Sequence, residues 1–224
     1  MICFCGDSYI EEKLPVPPKS WIRMVTNKLY TGEYDLPLKD SIKYSFNTAM
    51  GGTSIEHLIE EQLIKKVLPR YPHNPFEYLI ISVTYNERFS LHSGVTFTPG
   101  KPIEMHYNLL KQHSVFKDLD DDTIEYYLKS QIDYKLRTDN DNFNRRKIII
   151  SNLVDFFSRC GTKVFMFNVD SVRDFYADEK YYCKKKTINF YIDTHSNIDV
   201  YSNHFTLENN IKVADEFYNE IINL

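Results

Sequence analysis

The sequence predicts a three-layer α/β/α domain built on a five-stranded parallel sheet. Five short apolar runs of strand length alternate with segments in which apolar residues recur at helical spacing. Alternation of this kind is typical of right-handed βαβ units, whose parallel strands are covered by helices. At 224 residues the chain is long enough for one sizeable core, and no linker or internal repeat divides it. We therefore expect a single domain over residues 1–224.

The first part of the chain supplies three strands and two helices. Apolar residues predict a first strand at 2–7 and a helix at 17–29. Residues 43–49 predict the second strand, and a glycine turn then leads into a helix that begins at Ile55. The apolar residues of this helix recur at helical spacing: Ile55, Leu58, Ile59, Leu63, Ile64 and Val67. The continuous apolar run 78–83 predicts a central third strand that is covered on both faces.

Residues 90–138 interrupt the alternation and are predicted to be a helical insertion after the third strand. A loop with Gly and Pro at 94–102 precedes helices at 103–111 and 122–137. The acidic run 118–122 is typical of a helix N-terminus, where the helix dipole favours negative charge. The aromatic residues of the insertion either pack a small lid core or line a wall for a sugar or acyl substrate: Phe97, Tyr107, Phe116, Tyr126 and Tyr127.

Two strands and two helices complete the pattern. Residues 142–160 predict a helix that ends at Gly161, and 163–169 predict the fourth strand. Residues 187–193 predict the fifth strand. The chain closes with a helix predicted at 205–222, whose apolar residues face inward.

Charge and composition place the chain among globular proteins. Lys and Arg number 27 against 31 Asp and Glu, for a net charge of −4. This balance is too even and too acidic for a protein that neutralises phosphates, so we expect no nucleic-acid partner. Apolar residues make up 42% and aromatic residues 15% of the chain, which excludes the disordered and fibrous classes. The excess of Asn, Ile, Lys and Tyr hints at an AT-rich genome and a phage source.

The N-terminal sequence and the cysteines indicate the cellular location of the protein. Residues 1–8 contain no basic region, long apolar run or small-residue cleavage site, so we predict no signal peptide. No stretch approaches the roughly 18 to 20 apolar residues that a membrane span needs. The four cysteines form no CxxC pair and have no histidine at zinc-ligand spacing, so we expect reduced thiols and no metal site. A cytoplasmic or virion-associated protein is the expectation.

The candidate catalytic residues lie in four segments, of which three follow predicted strands and one precedes the last predicted helix. Gly6-Asp7-Ser8 follows the first strand, Gly51-Gly52 the second and Thr84-Tyr85-Asn86-Glu87 the third, while Ser202-Asn203-His204 precedes the closing helix. In an open parallel sheet, ligands bind beyond the carboxyl ends of the strands. Ser, Gly, Asn and His at one edge provide what acyl transfer needs, namely a nucleophile, oxyanion donors and a general base. Gly-Asp-Ser by itself is also ordinary turn chemistry.

Together these segments resemble the sequence blocks of the SGNH (GDSL-like) serine hydrolases. Gly6-Asp7-Ser8 looks like the first block, and residues 47–52 look like the second. Residues 84–87 are similar to the third block, usually written GxND, although Thr84 replaces its Gly and Glu87 its Asp. The resemblance implies a flavodoxin-like SGNH hydrolase fold and an ester hydrolase that needs no metal or organic cofactor.

The resemblance also implies a role for each matching residue. Ser8 would be the nucleophile, and its backbone N–H would serve the oxyanion hole. Gly52 would add a second backbone N–H, and Asn86 a side-chain amide. His204, which looks like the histidine of the last block, would take the Ser8 proton and return it to the leaving group.

The acid that orients the histidine is displaced in this chain. The last block usually reads DxxH, but the position three residues before His204 is Tyr201. Asp199 is our candidate for the orienting carboxylate, and a backbone carbonyl acting in a Ser–His dyad is the alternative. His195, beside Asp193, is a rival base.

Two classes of function follow from these residues. The first is an SGNH-type serine esterase that acts on a small-molecule or glycan ester, and an O-acetylated carbohydrate is the expected substrate class. The second is a catalytically degenerate binding or structural module of the same fold, for example a phage virion component, and Tyr201 favours it. Incorporation into a virion or self-association belongs with this second class.

Overall fold

The structure is a computed structural model. It describes residues 1–6, 10, 20–34, 42–83, 88–92, 95–98, 101–168 and 207–223. The fifth strand predicted at 187–193 lies outside these residues.

The described elements include six strands and six helices. In chain order they are β1 (Ile2–Cys5), α1 (Trp21–Thr31), β2 (Ser45–Asn47), α2 (residues 55–70), β3 (Tyr78–Val83), β4 (Phe89–His92), β5 (Val95–Phe97), α3 (Ile103–Lys111), α4 (Asp121–Arg137), α5 (Asp139–Arg159), β6 (Lys163–Asn168) and α6 (Leu207–Ile222). A short 3₁₀ helix, Ile42–Tyr44, leads into β2. The bounds of β3 confirm the prediction at 78–83. The second strand, predicted at 43–49, is shorter at both ends, because residues 43–44 belong to the 3₁₀ helix and the strand ends at Asn47.

Four strands form a parallel sheet in the order β2-β1-β3-β6. Ile2 pairs with both Ser45 of β2 and Tyr78 of β3, and Tyr78 pairs in turn with Lys163 of β6. The protein is therefore a mixed α/β fold on a parallel sheet, as the alternation of strands and helices predicted.

One face of the sheet packs against α1 and α6. Trp21 at the start of α1 is fully buried, and its ring meets Phe4, Phe167 and Phe217 edge-on at centroid distances of 5.0–6.3 Å. Edge-to-face packing of aromatic rings is worth about 0.5–1.5 kcal/mol per pair beyond area burial. The buried members of this cluster are Ile2, Phe4, Ile10, Trp21, Ile22, Met24, Val25, Tyr78, Ile80, Phe165, Phe167, Val213, Ala214, Phe217 and Ile221.

The opposite face packs against α2 and α5. Because side chains alternate along a strand, the other residues of β1, β3 and β6 point to this side. The buried members are Cys3, Cys5, Ile55, Leu58, Ile59, Leu63, Val67, Tyr71, Phe76, Leu79, Ile81, Val83, Ile150, Val154, Phe157, Val164 and Met166. Strands covered on both faces explain the continuous apolar runs in the sequence.

Helix α2 has an unusual winding. Its middle part, Leu58–Val67, is π-helical, and the Leu68 N–H donates to the Leu63 carbonyl five residues earlier. Of the apolar residues at helical spacing, Ile64 is 41% exposed, while the polar residue Gln62 is fully buried. Gln62 comes seven residues after Ile55, about two helical turns, and so shares its face, whereas Ile64 comes nine residues after Ile55, about half a turn away from that face.

The segment predicted as an insertion has its own small core. The prediction of a loop at 94–102 is wrong in part, because Val95–Phe97 forms β5 and pairs antiparallel with β4. Phe97, Tyr107, Phe116 and Tyr127 pack in or against this core, whereas Tyr126 is 76% exposed. The prediction that the aromatic residues pack a small core is therefore confirmed for those four, and a lid role stays a prediction.

The acidic run 118–122 begins a helix, as predicted. The Asp120 side chain caps α4 by accepting a hydrogen bond from the Thr123 N–H at 2.8 Å. Hydrogen bonds from Thr123 lower the pKa of Asp120, which keeps the cap ionised. Asp121 and Asp122 lie in the first turn, where the helix dipole favours them.

Within the described ranges, no helix combines the length and the apolar character that crossing a bilayer requires.

Candidate functional site

The candidate site lies where the connections of the sheet change direction. From β1 the chain moves to β2 on one side, and then passes to β3 on the other side of β1. Such a switch point, at the carboxyl ends of two adjacent strands, is where open α/β sheets bind ligands. Here the switch point lies between β1 and β3, at Gly6 and Ser82.

Gly6 is in a position that only glycine can occupy. Its φ is 146°, and a Cβ atom added to it would lie 2.6 Å from both the Cβ and the carbonyl oxygen of Ser82. An L-residue would meet both an unfavourable backbone conformation and a steric clash. Gly6, which the sequence predicts to begin a turn after the first strand, thus lies in close contact with Ser82 of β3 at the switch point.

The two peptide groups of Gly6 are bound by a side chain from α2. The Gly6 N–H donates to Gln62 Oε1 at 2.7 Å, and Gln62 Nε2 donates to the Gly6 carbonyl at 2.8 Å. Both residues are buried. One carboxamide therefore satisfies the donor and the acceptor of Gly6 at once, as buried polar groups require.

The segment after β2 contacts the end of β1. The Met50 N–H donates to the Gly6 carbonyl at 3.0 Å. Asn47 Nδ2 donates to the Ile10 carbonyl at 2.7 Å, and Asn47 Oδ1 accepts from the Ala49 N–H at 2.9 Å. The structure thus places Gly6, the first residue of the Gly6-Asp7-Ser8 segment, in contact with Met50 of the block at 47–52.

Gly52 lies in the turn between β2 and α2. Its φ is 74°, a backbone angle that favours glycine. An added Cβ would meet no atom within 4 Å, so the space beside Gly52 is open. Two residues later, Ser54 caps α2 by accepting from the His57 N–H, and its hydroxyl lies 2.8 Å from that of Ser90 in β4. This contact ties the start of α2 to the hairpin of β4 and β5.

The starts of α1 and α6 lie side by side. The Trp21 N–H donates to Asn210 Oδ1 at 2.9 Å. At the other end of α1, the Tyr30 hydroxyl lies 3.4 Å from Glu77, which immediately precedes β3. The end of α1 is thus near the amino edge of the sheet, and the starts of both helices are towards the carboxyl edge.

Most of the predicted site residues lie outside the described residues. Gly52 is described, whereas Ser8, Asn86, His204 and Asp199 are not. The meeting of nucleophile, base and oxyanion donors therefore stays a prediction.

A charged cluster joins the start of α2 to α4 and α5. Glu56 Oε1 accepts from Lys135 Nζ at 3.2 Å and from Arg146 Nη2. The side chain of Arg146 is only 7% exposed and that of Glu56 17%. Because removing one member would leave a buried charge unpaired, this cluster fixes α4 and α5 against the start of α2.

Two titratable groups near β1 and α2 have shifted pKa values. Burial lowers the pKa of His57, which favours the neutral imidazole. Burial, and then the hydrogen bond to Cys5, raises the pKa of Cys3 well above its ordinary value. Cys3 and Cys5 lie with their Sγ atoms 3.9 Å apart as free, buried thiols, an environment that leaves a thiol unreactive.

Sequence reasoning missed Gln62 and Asn47. The only signal for Gln62 was a polar residue inside an apolar stripe, and Asn47 was noted only as part of a segment. Among the described residues, no group of three or more His, Cys, Asp or Glu side chains is arranged to hold a metal ion.

Comparisons of the chain with protein-family models, with curated proteins and with solved structures find no match.

Proposed function

We propose that the protein is a serine ester hydrolase of the SGNH type, with Ser8 as the nucleophile. The proposed fold is a three-layer α/β/α domain whose fifth strand is residues 187–193. The order β2-β1-β3-β6 supports this fold. Because β6 is the fourth strand of this sheet in chain order, the arrangement corresponds to the first four positions of the flavodoxin-like 2-1-3-4-5 order. The apolar clusters on the two faces of the sheet also support it.

The observation that carries the proposal is the contact between Gly6, at the end of β1, and Met50, which follows β2. Gly6 begins the segment that bears Ser8, and Met50 belongs to the segment that bears Gly52. A nucleophile and a backbone oxyanion donor must lie within a few ångströms of one reacting carbonyl. Contact between their two segments is the local arrangement that this chemistry requires.

In the proposed reaction, Ser8 Oγ attacks the acyl carbon while His204 takes the hydroxyl proton. The N–H groups of Ser8 and Gly52 and the amide of Asn86 stabilise the resulting oxyanion. The C–O bond to the leaving alcohol then breaks, and His204 returns the proton to that alcohol. Water, activated in turn by His204, hydrolyses the acyl-enzyme and regenerates Ser8.

The position of α6 is consistent with His204 as the base. His204 precedes α6 by three residues, and the start of α6 lies near the start of α1, towards the carboxyl edge of the sheet. Asp199 is the proposed orienting acid. We expect Asp199→Asn to lower esterase activity about tenfold or more, and an unchanged rate would favour orientation by a backbone carbonyl.

The proposed substrates are small-molecule or glycan esters, with O-acetylated carbohydrate as the preferred class. The proposed chemistry uses no metal or organic cofactor, because serine, histidine and fixed N–H donors suffice for acyl transfer.

A fluorophosphonate probe tests the proposal, because it reacts with the activated hydroxyl that catalysis uses. The wild-type protein should be labelled, Ser8→Ala should not, and His204→Ala should be labelled much more slowly. Hydrolysis of a short-chain aryl acetate should follow the same ranking. Folded wild-type protein that neither reacts nor releases acetate above background would overturn the hydrolase proposal. The degenerate binding module, which Tyr201 in the place of the acid favours, would then be the better proposal.

A further inference from the structure

We propose that Gln62 is a positioning residue, whose carboxamide sets the direction in which the chain leaves β1 towards Ser8. This inference rests on the proposed function for its catalytic readout. It concerns a residue of α2 that neither the sequence pattern nor the resemblance assigns to the site.

The geometry is that of a cyclic pair of hydrogen bonds. Gln62 Oε1 accepts from the Gly6 N–H at 2.7 Å, and Gln62 Nε2 donates to the Gly6 carbonyl at 2.8 Å. The N–H belongs to the peptide group that joins Gly6 to Cys5, and the carbonyl to the group that joins it to Asp7. Gln62 therefore binds the peptide groups on both sides of the Gly6 Cα.

Gly6 needs such a partner because glycine is the least restricted residue. Gly6 has a φ of 146° and no side chain that could fix this angle by packing. Small rotations about its Cα would therefore move the residues that follow, including Ser8. Ser8 comes two residues later, and a misplacement of about 1 Å can cost roughly 100-fold in rate. A rigid amide bound to both peptide groups removes that freedom.

The burial of Gln62 also points to a role beyond packing. Its neighbours on α2 include the buried apolar residues Leu58, Ile59 and Leu63, which suffice to pack a helix on the sheet. A carboxamide buried among them is unfavourable unless all its polar atoms are bonded. Gln62 is fully buried within the π-helical part of α2, and π turns are frequent at functional sites.

Two variants of Gln62 separate positioning from packing. Gln62→Met keeps the length of the side chain and removes both hydrogen bonds. Gln62→Glu is nearly isosteric: its ionised form accepts from the Gly6 N–H but cannot donate to the Gly6 carbonyl. Its neutral acid form can do both, and burial favours that form as the pH falls.

Leu63→Ala is the matched control. Leu63 lies in the same helix and is fully buried, so this change removes packing without touching Gly6. It should lower the unfolding midpoint and leave the fluorophosphonate labelling rate of the folded protein within about twofold of wild type, since the site geometry is kept.

The expected results concern the labelling rate of Ser8 relative to wild type at the same pH. Gln62→Met should be about 100-fold slower at pH 8 and at pH 5.5. Gln62→Glu should be similarly slow at pH 8 and should recover about tenfold at pH 5.5, when the acid form restores both bonds. Dividing by the wild-type rate removes the common effect of His204 protonation. If Gln62→Met reacts at the wild-type rate, the proposal is overturned.

Amide hydrogen exchange of Gly6 separates this proposal from the hydrolase proposal. In Gln62→Met, the Gly6 N–H should exchange at least about tenfold faster than in wild type, while Ile80 in β3 is unchanged. Equal exchange rates at Gly6 would overturn the inference whatever the labelling shows. Absence of labelling in the wild type would instead overturn the hydrolase function.

Discussion

Gly6→Ala should destabilise the protein more than Gly52→Ala, because the two glycines share a positive φ but differ in the space around them. At Gly52 an added Cβ meets nothing within 4 Å, whereas at Gly6 it would lie 2.6 Å from two atoms of Ser82. One of those atoms is a backbone oxygen in the central strand of the sheet, and it cannot move without disturbing the pairing of β3.

The expected costs follow from these two environments. A left-handed conformation costs an L-residue about 1–2 kcal/mol, and loss of glycine's freedom in the unfolded chain returns about 0.4–1 kcal/mol. Gly52→Ala should therefore cost about 1 kcal/mol. At Gly6 the clash adds about 1–3 kcal/mol of overpacking, so the total should be about 3 kcal/mol.

Urea unfolding measures this difference. Trp21 is the single tryptophan of the chain and is fully buried, so its fluorescence reports the loss of the core. With a slope of about 2 kcal/mol/M, the midpoint should fall by about 1.5 M for Gly6→Ala and about 0.5 M for Gly52→Ala. Equal midpoint shifts in the two variants would refute the inference that Gly6 is required by the close approach of Ser82.

Three further predictions concern polar groups that are buried or half-buried. Glu56→Gln should lower the free energy of unfolding by about 3 kcal/mol, because Arg146 loses its counter-charge in a nearly buried position. Urea unfolding checks this, and a change under about 0.5 kcal/mol would contradict it. Asn210→Leu should cost about 1–3 kcal/mol because the Trp21 N–H loses its acceptor; an unchanged melting temperature would argue against that role. The lowered pKa of His57 means that the unfolded chain binds its proton more readily than the folded one. The contribution of neutral His57 to the free energy of unfolding is present above about pH 6.5 and is lost as the pH falls. His57→Gln should therefore flatten the decline in this free energy between about pH 7 and pH 5.5. An equal decline in both proteins would contradict the role of His57.

Local patterns predicted much of the described fold. The run 78–83 is apolar throughout because β3 is covered on both faces, and this pattern gave its bounds. Helices such as α4 could be predicted because their ends carry local signals, here the capping residue Asp120. The strand Val95–Phe97 was missed because it is short, lies between glycine and proline residues, and is stabilised by pairing with β4.

The candidate site was only partly accessible to the same reasoning. Gly6 and Gly52 could be selected from the sequence because glycine in a turn after a strand is a local signal. Asn47 could not, because its role depends on the Ile10 carbonyl, which lies 37 positions away in the chain.

The sequence by itself determined the alternation of strands and helices, the parallel sheet that follows from it, and the glycine turns at the ends of β1 and β2. Only the tertiary structure decided which atoms meet there. Gln62 binds Gly6 across 56 positions of the chain, and Ser82 abuts Gly6 only because β3 pairs with β1. Which atoms meet in such contacts cannot be read from the sequence, because it depends on the order of the strands, which is set by packing between distant elements.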